Sequence, residues 1–257
     1  MSFAVPAETY DRFMGRYSRR VAPAFARFAG IEAGMRVLDV GCGPGALTGV
    51  LAGLVGAPQV AAADPSPGFA AACAARVPGA DVRETRAEAL PWADATFDAA
   101  LAQLVVGFMA DPEAGVREMA RVVAPGATVA ACTWDSAGAM RMLDLFWAAA
   151  LALDPAAPAE AGRVRFGARD ELHELWSGAG LADVEVQPLD VLAGYEDFDD
   201  FWEPLTGGVG PAGEWCASLA PDAQVALREE CRRRLGDPQG PFELPARSWA
   251  ARGRRPA

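Results

Sequence analysis

Short apolar runs alternate with longer segments of helical period through the first half of the chain. Phe13, Tyr17, Val21 and Phe25 recur at fours, one face of a helix within the first thirty residues, and Pro23 predicts a break or a fresh helix start there. "RVLDV" (36–40) reads as a buried strand and "ALTGVLAGLV" (46–55) as a helix. The next strands fall on "QVAAAD" (59–64), "ADVRETRA" (80–87), Phe97–Gln103 and "ATVAACTWD" (127–135). Between them lie "PGFAAACAARVP" (67–78) and "DPEAGVREMARVVAPG" (111–126), helices with stops at Pro78-Gly79 and Pro125-Gly126, the second with an Asp-Pro start. Short apolar strands with helices between them predict a doubly wound parallel sheet.

The second half is less regular. "GAMRMLDLFWAAALAL" reads as an amphipathic helix ended by "DPAAPAEAG", "ARDELHELWSGAG" as a shorter helix, and "DVEVQPLDV" as a strand. "YEDFDDFWEPL" and "APDAQVALREECRRRLG" read as helices, and "PFELPARSWAARG" as a closing strand. The stretch Thr206–Trp215, "TGGVGPAGEW", reads as a mobile loop. No internal repeat appears.

Composition narrows the class. The chain has 257 residues, 52% of them hydrophobic, enough for one large α/β domain. Its net charge is −11, which repels phosphate backbones and argues against a nucleic-acid partner. All 23 basic residues are arginine, and the dense runs at Arg232–Leu235 and Arg252–Arg255 read as a solvated helix face and a tail. No apolar run approaches the ~18 residues of a membrane span, and no secretory signal pattern opens the chain. The five cysteines form no Cys-x-x-Cys pair and His173 is the sole histidine, so neither a zinc site nor a disulfide framework is expected and a cytoplasmic location is. Cys42, inside the glycine turn, reads as a small residue tolerated there or as a reactive thiol.

The candidate chemistry lies in "VLDVGCGPGALT". A strand meets Gly41, Gly43 and Gly45 and passes straight into a helix. The Gly-x-Gly-x-Gly spacing departs from the dinucleotide fingerprint, and the carboxylate of Asp39 would repel a pyrophosphate and suit a cationic group. This speaks against a nicotinamide-dependent oxidoreductase.

The same stretch resembles motif I of class I S-adenosylmethionine-dependent methyltransferases, closest to the small-molecule group with ubiquinone- and menaquinone-biosynthesis-type enzymes. "AADPSPGF", "RAEALPWADATFD", "REMARVVAPGA", "YDRFMGRYSR" and "ARSWAARG" resemble further stretches of that family, so the likeness covers nearly the whole chain. It implies an α/β, Rossmann-like, seven-stranded sheet, mostly parallel with an antiparallel last strand, plus helical lid insertions. One methyltransferase domain would span 1–257: a helical cap over 1–30, a cofactor-binding half over 31–135 and a substrate-side half with lid helices over 136–257.

The implied cofactor is S-adenosylmethionine. Gly41 and Gly43 would let the backbone approach it, since no Cβ intervenes. Asp39 would orient the turn or accept from the ammonium, Asp64 would take the ribose hydroxyls and Pro65 would pack on the adenine. Ala87 and Glu88 lie where the family reads the adenine edge, Gln103 lies under the cofactor, and Arg16 and Tyr17 resemble residues closing over its methionine end. Where the family has an acid two residues before Glu88, this chain has Arg86; either Glu88 takes over, or backbone contacts and packing hold the adenine.

The implied activity is methyl transfer to O, N or C of a small, partly apolar acceptor, with no metal and no identifiable catalytic residue. A general base is optional, and His173 reads as a solvated helix residue. "AQLVVGFM" stands where nucleic-acid amine methyltransferases carry Asn/Asp-Pro-Pro-Tyr. Tyr10, Trp134, Trp147 and Trp202, with Phe146, Phe198 and Phe201, are the candidate acceptor pocket. The expected assembly is a monomer or homodimer. The alternative is a protein of the same fold that binds S-adenosylmethionine without transferring methyl.

Overall fold

The computed structural model describes residues 5–137, 139–158 and 165–257. The first four residues, Gly138 and the end of the "DPAAPAEAG" stretch lie outside the described residues. The chain opens with α1 (Ala7–Tyr10), a π-helical turn (Asp11–Gly15) and α2 (Arg16–Phe28). Then follow β1 (Val37–Val40), α3 (Ala46–Val55), β2 (Val60–Asp64), α4 (Pro67–Arg76), β3 (Asp81–Glu84), β4 (Phe97–Gln103), α5 (Pro112–Val122) and β5 (Val123–Trp134). The second half gives α6 (Arg141–Leu153), α7 (Arg169–Gly178), β6 (Ala182–Tyr195), α8 (Phe198–Trp202), α9 (Gly210–Ser218), α10 (Pro221–Arg234) and β7 (Phe242–Arg254).

The strands form one seven-stranded sheet in the order β3-β2-β1-β4-β5-β7-β6. β1 to β5 pair in parallel, and β7 runs antiparallel between β5 and β6. This is the expected Rossmann-like sheet with an antiparallel last strand. β1 and β2 are buried on both faces, which explains why they read as apolar runs rather than alternations.

Strand periodicity then sorts the helices. Val37, Val60, Leu101 and Ala130 face α2 and α3, whereas Leu38, Ala61, Ala100 and Val129 face α5 and α7. A third core over the β6–β7 end gathers α6, α8, α9 and α10 around Phe146, Phe201 and Tyr17. The chain reverses its winding between β1 and β4, and at such a switch point a crevice opens at the strands' C-terminal ends.

Three local readings change. Pro23 does not break the first helix, because α2 runs through it. Its ring is exposed, so the Arg19 carbonyl it leaves without an N–H partner faces water. The Pro125-Gly126 stop lies within β5, which pairs Phe97 with Val123, shifts register, and resumes at Ala99 with Thr128. The loop expected over Thr206–Trp215 becomes helical from Gly210, since α9 buries Ala212 and Cys216 against the third core.

Pro23→Ala should restore the missing helix hydrogen bond and stabilise the protein by roughly 1–3 kcal/mol. A higher urea midpoint at unchanged slope is the expected result; a lower midpoint would show that the packing of α2 needs the proline.

Candidate functional site

The crevice at the β1/β4 switch point holds a cavity of about 980 Å³. The glycine turn forms its floor. The Gly41 and Cys42 N–H groups both donate to the Ala63 carbonyl, at 2.7 and 2.9 Å, locking the end of β1 to β2. Gly41 has φ +71°, and a Cβ there would lie 2.4 Å from Val105 Cγ2, so only glycine fits. Gly43, at φ +51°, would meet nothing with a Cβ, so its open side leaves room for close backbone approach.

Asp39 lies beneath this turn, fully buried. Its Oδ2 accepts from Thr48 Oγ1 at 2.6 Å, and its Oδ1 has no partner. Burial pushes the carboxyl up to about 7; the Thr48 hydrogen bond opposes that rise and the nearby Asp64 adds to it.

Asp64 ends β2 at the cavity wall. Its Oδ2 accepts from Gly43 N at 2.9 Å and its Oδ1 from Ser66 N at 2.8 Å. Each oxygen keeps further acceptor capacity. The cap of α4 is Ser66, accepting from Phe69 N, so Asp64 is not spent on capping. Burial raises Asp64, and its two backbone donors moderate the rise.

Gln103, at the end of β4, donates to the Ser18 carbonyl at 3.1 Å; its Oε1 and the Ser18 Oγ are both buried without a partner. Leu104 follows at φ +62°, a costly conformation for a branched side chain, fixed by its N–H bond to Cys132 O at 2.8 Å. On the far wall lie Pro65, Ala87 and Glu88. Glu88 Oε1 accepts from the Ala110 and Asp111 N–H groups, tying the loop after β3 to the start of α5. Despite partial desolvation, those donors and Arg86 hold its carboxyl below the ordinary value.

The cavity thus brings together Asp39, Gly41, Gly43, Asp64, Pro65, Ala87, Glu88 and Gln103, and also Tyr10 from the N-terminal cap. Tyr10 stands edge-on to Phe69, centroids 5.2 Å apart, with its phenol raised by burial and by the charges of Asp64 and Asp11. The sequence reading missed Ser18, Thr48 and Leu104. Thr48 carried a signal, a hydroxyl in the first turn of the helix after the glycines. Ser18 and Leu104 had none, because burial and backbone angle are tertiary facts.

The other sequence candidates lie elsewhere. Arg16 does not line the cavity. Its guanidinium binds the Asp200 carboxylate at 2.7 and 3.0 Å and the Gly194 carbonyl at 2.9 Å, and stacks 4.2 Å from the Tyr195 ring centroid. Tyr17, fully buried, bonds Tyr195 hydroxyl to hydroxyl at 2.8 Å. Trp134 packs edge-on to Tyr17, while Trp147, beside Phe146 and Trp215, and Trp202 belong to the third core. Phe146, Phe198 and Phe201 lie in that core as well. The Arg16–Asp200 and Tyr17–Tyr195 contacts and the third core hold the second half against the N-terminal cap; the apolar wall of the cavity is instead Phe69, Leu104, Val105, Phe108 and Met109. His173 is exposed on α7, outside the lining. Among the described residues no acidic, histidine or cysteine cluster could hold a metal, and no helix is long and apolar enough to cross a membrane.

Two outcomes follow from this geometry. The folded protein holds the Asp39 proton more tightly than the unfolded chain does. Stability of the ligand-free protein therefore falls as pH rises from about 4 to about 7, by up to about 4 kcal/mol from this group. Urea unfolding across that range should show a flatter profile for Asp39→Asn; an identical slope would remove Asp39 as the source. Arg16→Ala should cost roughly 2 kcal/mol, and Arg16→Lys should recover less than half, because an ammonium cannot bind a carboxylate side-on.

Residues 38–131 match the family described as "Methyltransferase domain". An uncharacterised protein of Mycobacterium tuberculosis is 34% identical over 122 residues, 46% of this chain and 44% of its own. A demethylmenaquinone methyltransferase of Mycolicibacterium vanbaalenii is 35% identical over 128 residues, 49% and 50% of the two chains. The chain spans about half the length of these relatives. In fold it resembles the [4+2]-cyclase SpnF, with TM-score 0.59 and 20% identity over 93% of this chain and 82% of that one. It also resembles a Haemonchus contortus phosphoethanolamine N-methyltransferase in complex with phosphomonomethylethanolamine and S-adenosylhomocysteine, with TM-score 0.58 and 16% identity over 98% and 57%. Residues 38–131 thus match a methyltransferase domain, and the sheet and helices around them have the fold seen in solved methyltransferase structures.

Proposed function

We propose that this protein transfers a methyl group from S-adenosylmethionine to O, N or C of a small, partly apolar acceptor. The observation that carries the reading is a set of buried oxygens without partners at the cavity: Asp39 Oδ1, Ser18 Oγ and Gln103 Oε1. Buried acceptors without donors are costly, so a ligand bearing an ammonium group fits them. A cationic ligand would also favour the ionised form of Asp39, which burial disfavours.

In this reading the remaining acceptor capacity of Asp64 takes the two ribose hydroxyls, and Pro65 and Ala87 flank the adenine. Glu88 already serves the loop with one oxygen, so backbone and packing take a larger share of adenine recognition beside Arg86. Tyr10 covers the site from the N-terminal cap, in place of Arg16 and Tyr17. When bound, S-adenosylmethionine supplies a methyl carbon already activated by its sulfonium, ready for in-line displacement. The chain's own task is to hold the acceptor in line and to exclude water. The apolar wall of Leu104, Val105, Phe108 and Met109 supports a partly apolar acceptor.

Calorimetric titration with S-adenosylhomocysteine and with NADH tests the cofactor. We expect binding of the first alone, weakened about 10- to 100-fold in Asp64→Asn, the change that keeps the shape and removes the charge. Incubation with S-adenosylmethionine and a panel of small phenols, amines and activated carbon acids tests the transfer. Binding without S-adenosylhomocysteine formation from any of them, while a protein or tRNA accepted methyl, would sink the small-acceptor reading. Binding with no transfer to any acceptor would leave a binding module.

A further inference from the structure

The glycine turn carries a thiol that the cofactor reading does not use. Cys42 stands between Gly41 and Gly43, lines the cavity and is 6% exposed. Cys73, from the middle of α4, is fully buried below it. The two pack with Ala62, and with Val82 at the side, in a small cluster separate from the three main cores. Cys73 also supports the turn from beneath, its sulfur 3.2 Å from where a Cβ of Gly45 would stand.

A hydrogen-bond chain fixes the lower sulfur. Cys73 Sγ donates to Thr48 Oγ1 at 3.4 Å, and Thr48 donates in turn to Asp39. A hydrogen bond from the Cys42 thiol holds Cys73 below its ordinary value, against the effect of burial, which makes Cys73 the readier nucleophile for a second step; Cys42 itself is raised, and its place on the cavity, which Cys73 does not share, is what makes it the first target of an oxidant. The remaining cysteines differ: Cys132 is buried in the sheet, Cys216 and Cys231 are in the third core, and none of them lines the cavity.

We propose that Cys42 and Cys73 form an oxidation site, closed to an intrachain disulfide by hydrogen peroxide or an organic hydroperoxide that reaches Cys42 through the cavity. With hydrogen peroxide, the O–O bond breaks, one oxygen passes to the Cys42 sulfur as a sulfenic acid, and the other leaves as water. The Cys73 sulfur then attacks the Cys42 sulfur and the S–O bond breaks. The departing hydroxide takes up the Cys73 proton as a second water. Two thiols lose two electrons and one peroxide becomes two waters. The disulfide ties the glycine turn to α4, so the turn can no longer adjust to a ligand lying on Gly41 and Gly43. That consequence for cofactor binding, and any shielding of Cys42 by bound cofactor, rest on the reading proposed above; the disulfide itself does not.

The test treats reduced full-length protein with hydrogen peroxide, with and without S-adenosylhomocysteine, then blocks free thiols with a maleimide and digests. The chain has no lysine and no arginine between Arg36 and Arg76, so trypsin leaves both cysteines on the peptide 37–76. The expected product is that peptide two hydrogens lighter, with neither cysteine labelled, and restored to double labelling by dithiothreitol. Cleavage before Asp64 should then leave two fragments joined. In Cys73→Ala the bond is absent and a dimedone adduct accumulates on Cys42. In wild type, a dimedone adduct on Cys42 without the linked peptide would overturn the proposal. So would oxidation confined to Cys216 and Cys231, or no oxidation at peroxide levels that consume a free thiol control. Disulfide formation that S-adenosylhomocysteine does not slow keeps the oxidation site and counts against the cofactor reading, so the two can fail separately.

Discussion

A carboxylate buried under a glycine turn organises this molecule. Asp39 sits on β1, beside the switch point, and burial alone would leave it protonated near neutrality. The structure answers with one hydrogen bond, from Thr48, and leaves the other oxygen without a donor. That choice dictates the local sequence. A residue with a Cβ at position 41 would strike Val105, and positive φ at 41, 43 and 45 brings the backbone back over the acid. The N–H groups that the turn releases go to Ala63 and Asp64, so the ends of β1 and β2 become one rigid rim. A buried acid left half-satisfied costs the fold stability, and its unused oxygen is one that a cationic group would satisfy.

The N-terminal cap is held to this rim by charge. Asp11 pairs with Arg76 at 2.6 Å, and Arg76 also donates to the Pro44 carbonyl in the glycine turn at 3.1 Å. One guanidinium therefore bridges the cap, α4 and the turn. The cap's other side is bound to the second half through Arg16, Asp200 and the Tyr17–Tyr195 pair. Tyr10 and Ser18 reach the cavity from a segment fixed at both flanks, with the π-helical turn between them. Such an irregular turn is a recurrent feature of functional sites, since it rotates the residues on its two sides relative to a regular helix.

The second half shows how an aromatic-rich sequence can be misplaced. Trp147, Trp202, Phe146, Phe198 and Phe201 are aromatics enough to line an acceptor pocket, yet they pack on one another and on β6 and β7. Large aromatic side chains bury so much surface that mutual packing competes with lining a cavity, and periodicity is blind to which of the two occurs. Most residues of the apolar wall, Leu104, Val105, Phe108 and Met109, follow β4 directly and were visible in the sequence only as a loop after a strand.

What the sequence determined by itself was the order of strands and helices and the chemistry at the strand ends. Parallel strands buried on both faces must be short apolar runs, and the glycines, Asp39 and Asp64 stand beside them at fixed offsets. Local rules therefore reach the turn, the acid and the sheet. Tertiary structure alone decided which side chains were left for the cavity. Arg16 found a carboxylate 184 positions away, and Tyr17 a phenol 178 positions away. Ser18 was left buried without a partner for its hydroxyl. Adjacent positions on one helix met three fates because each faced a different neighbour, and neighbours distant in sequence are set by the packing of the whole chain.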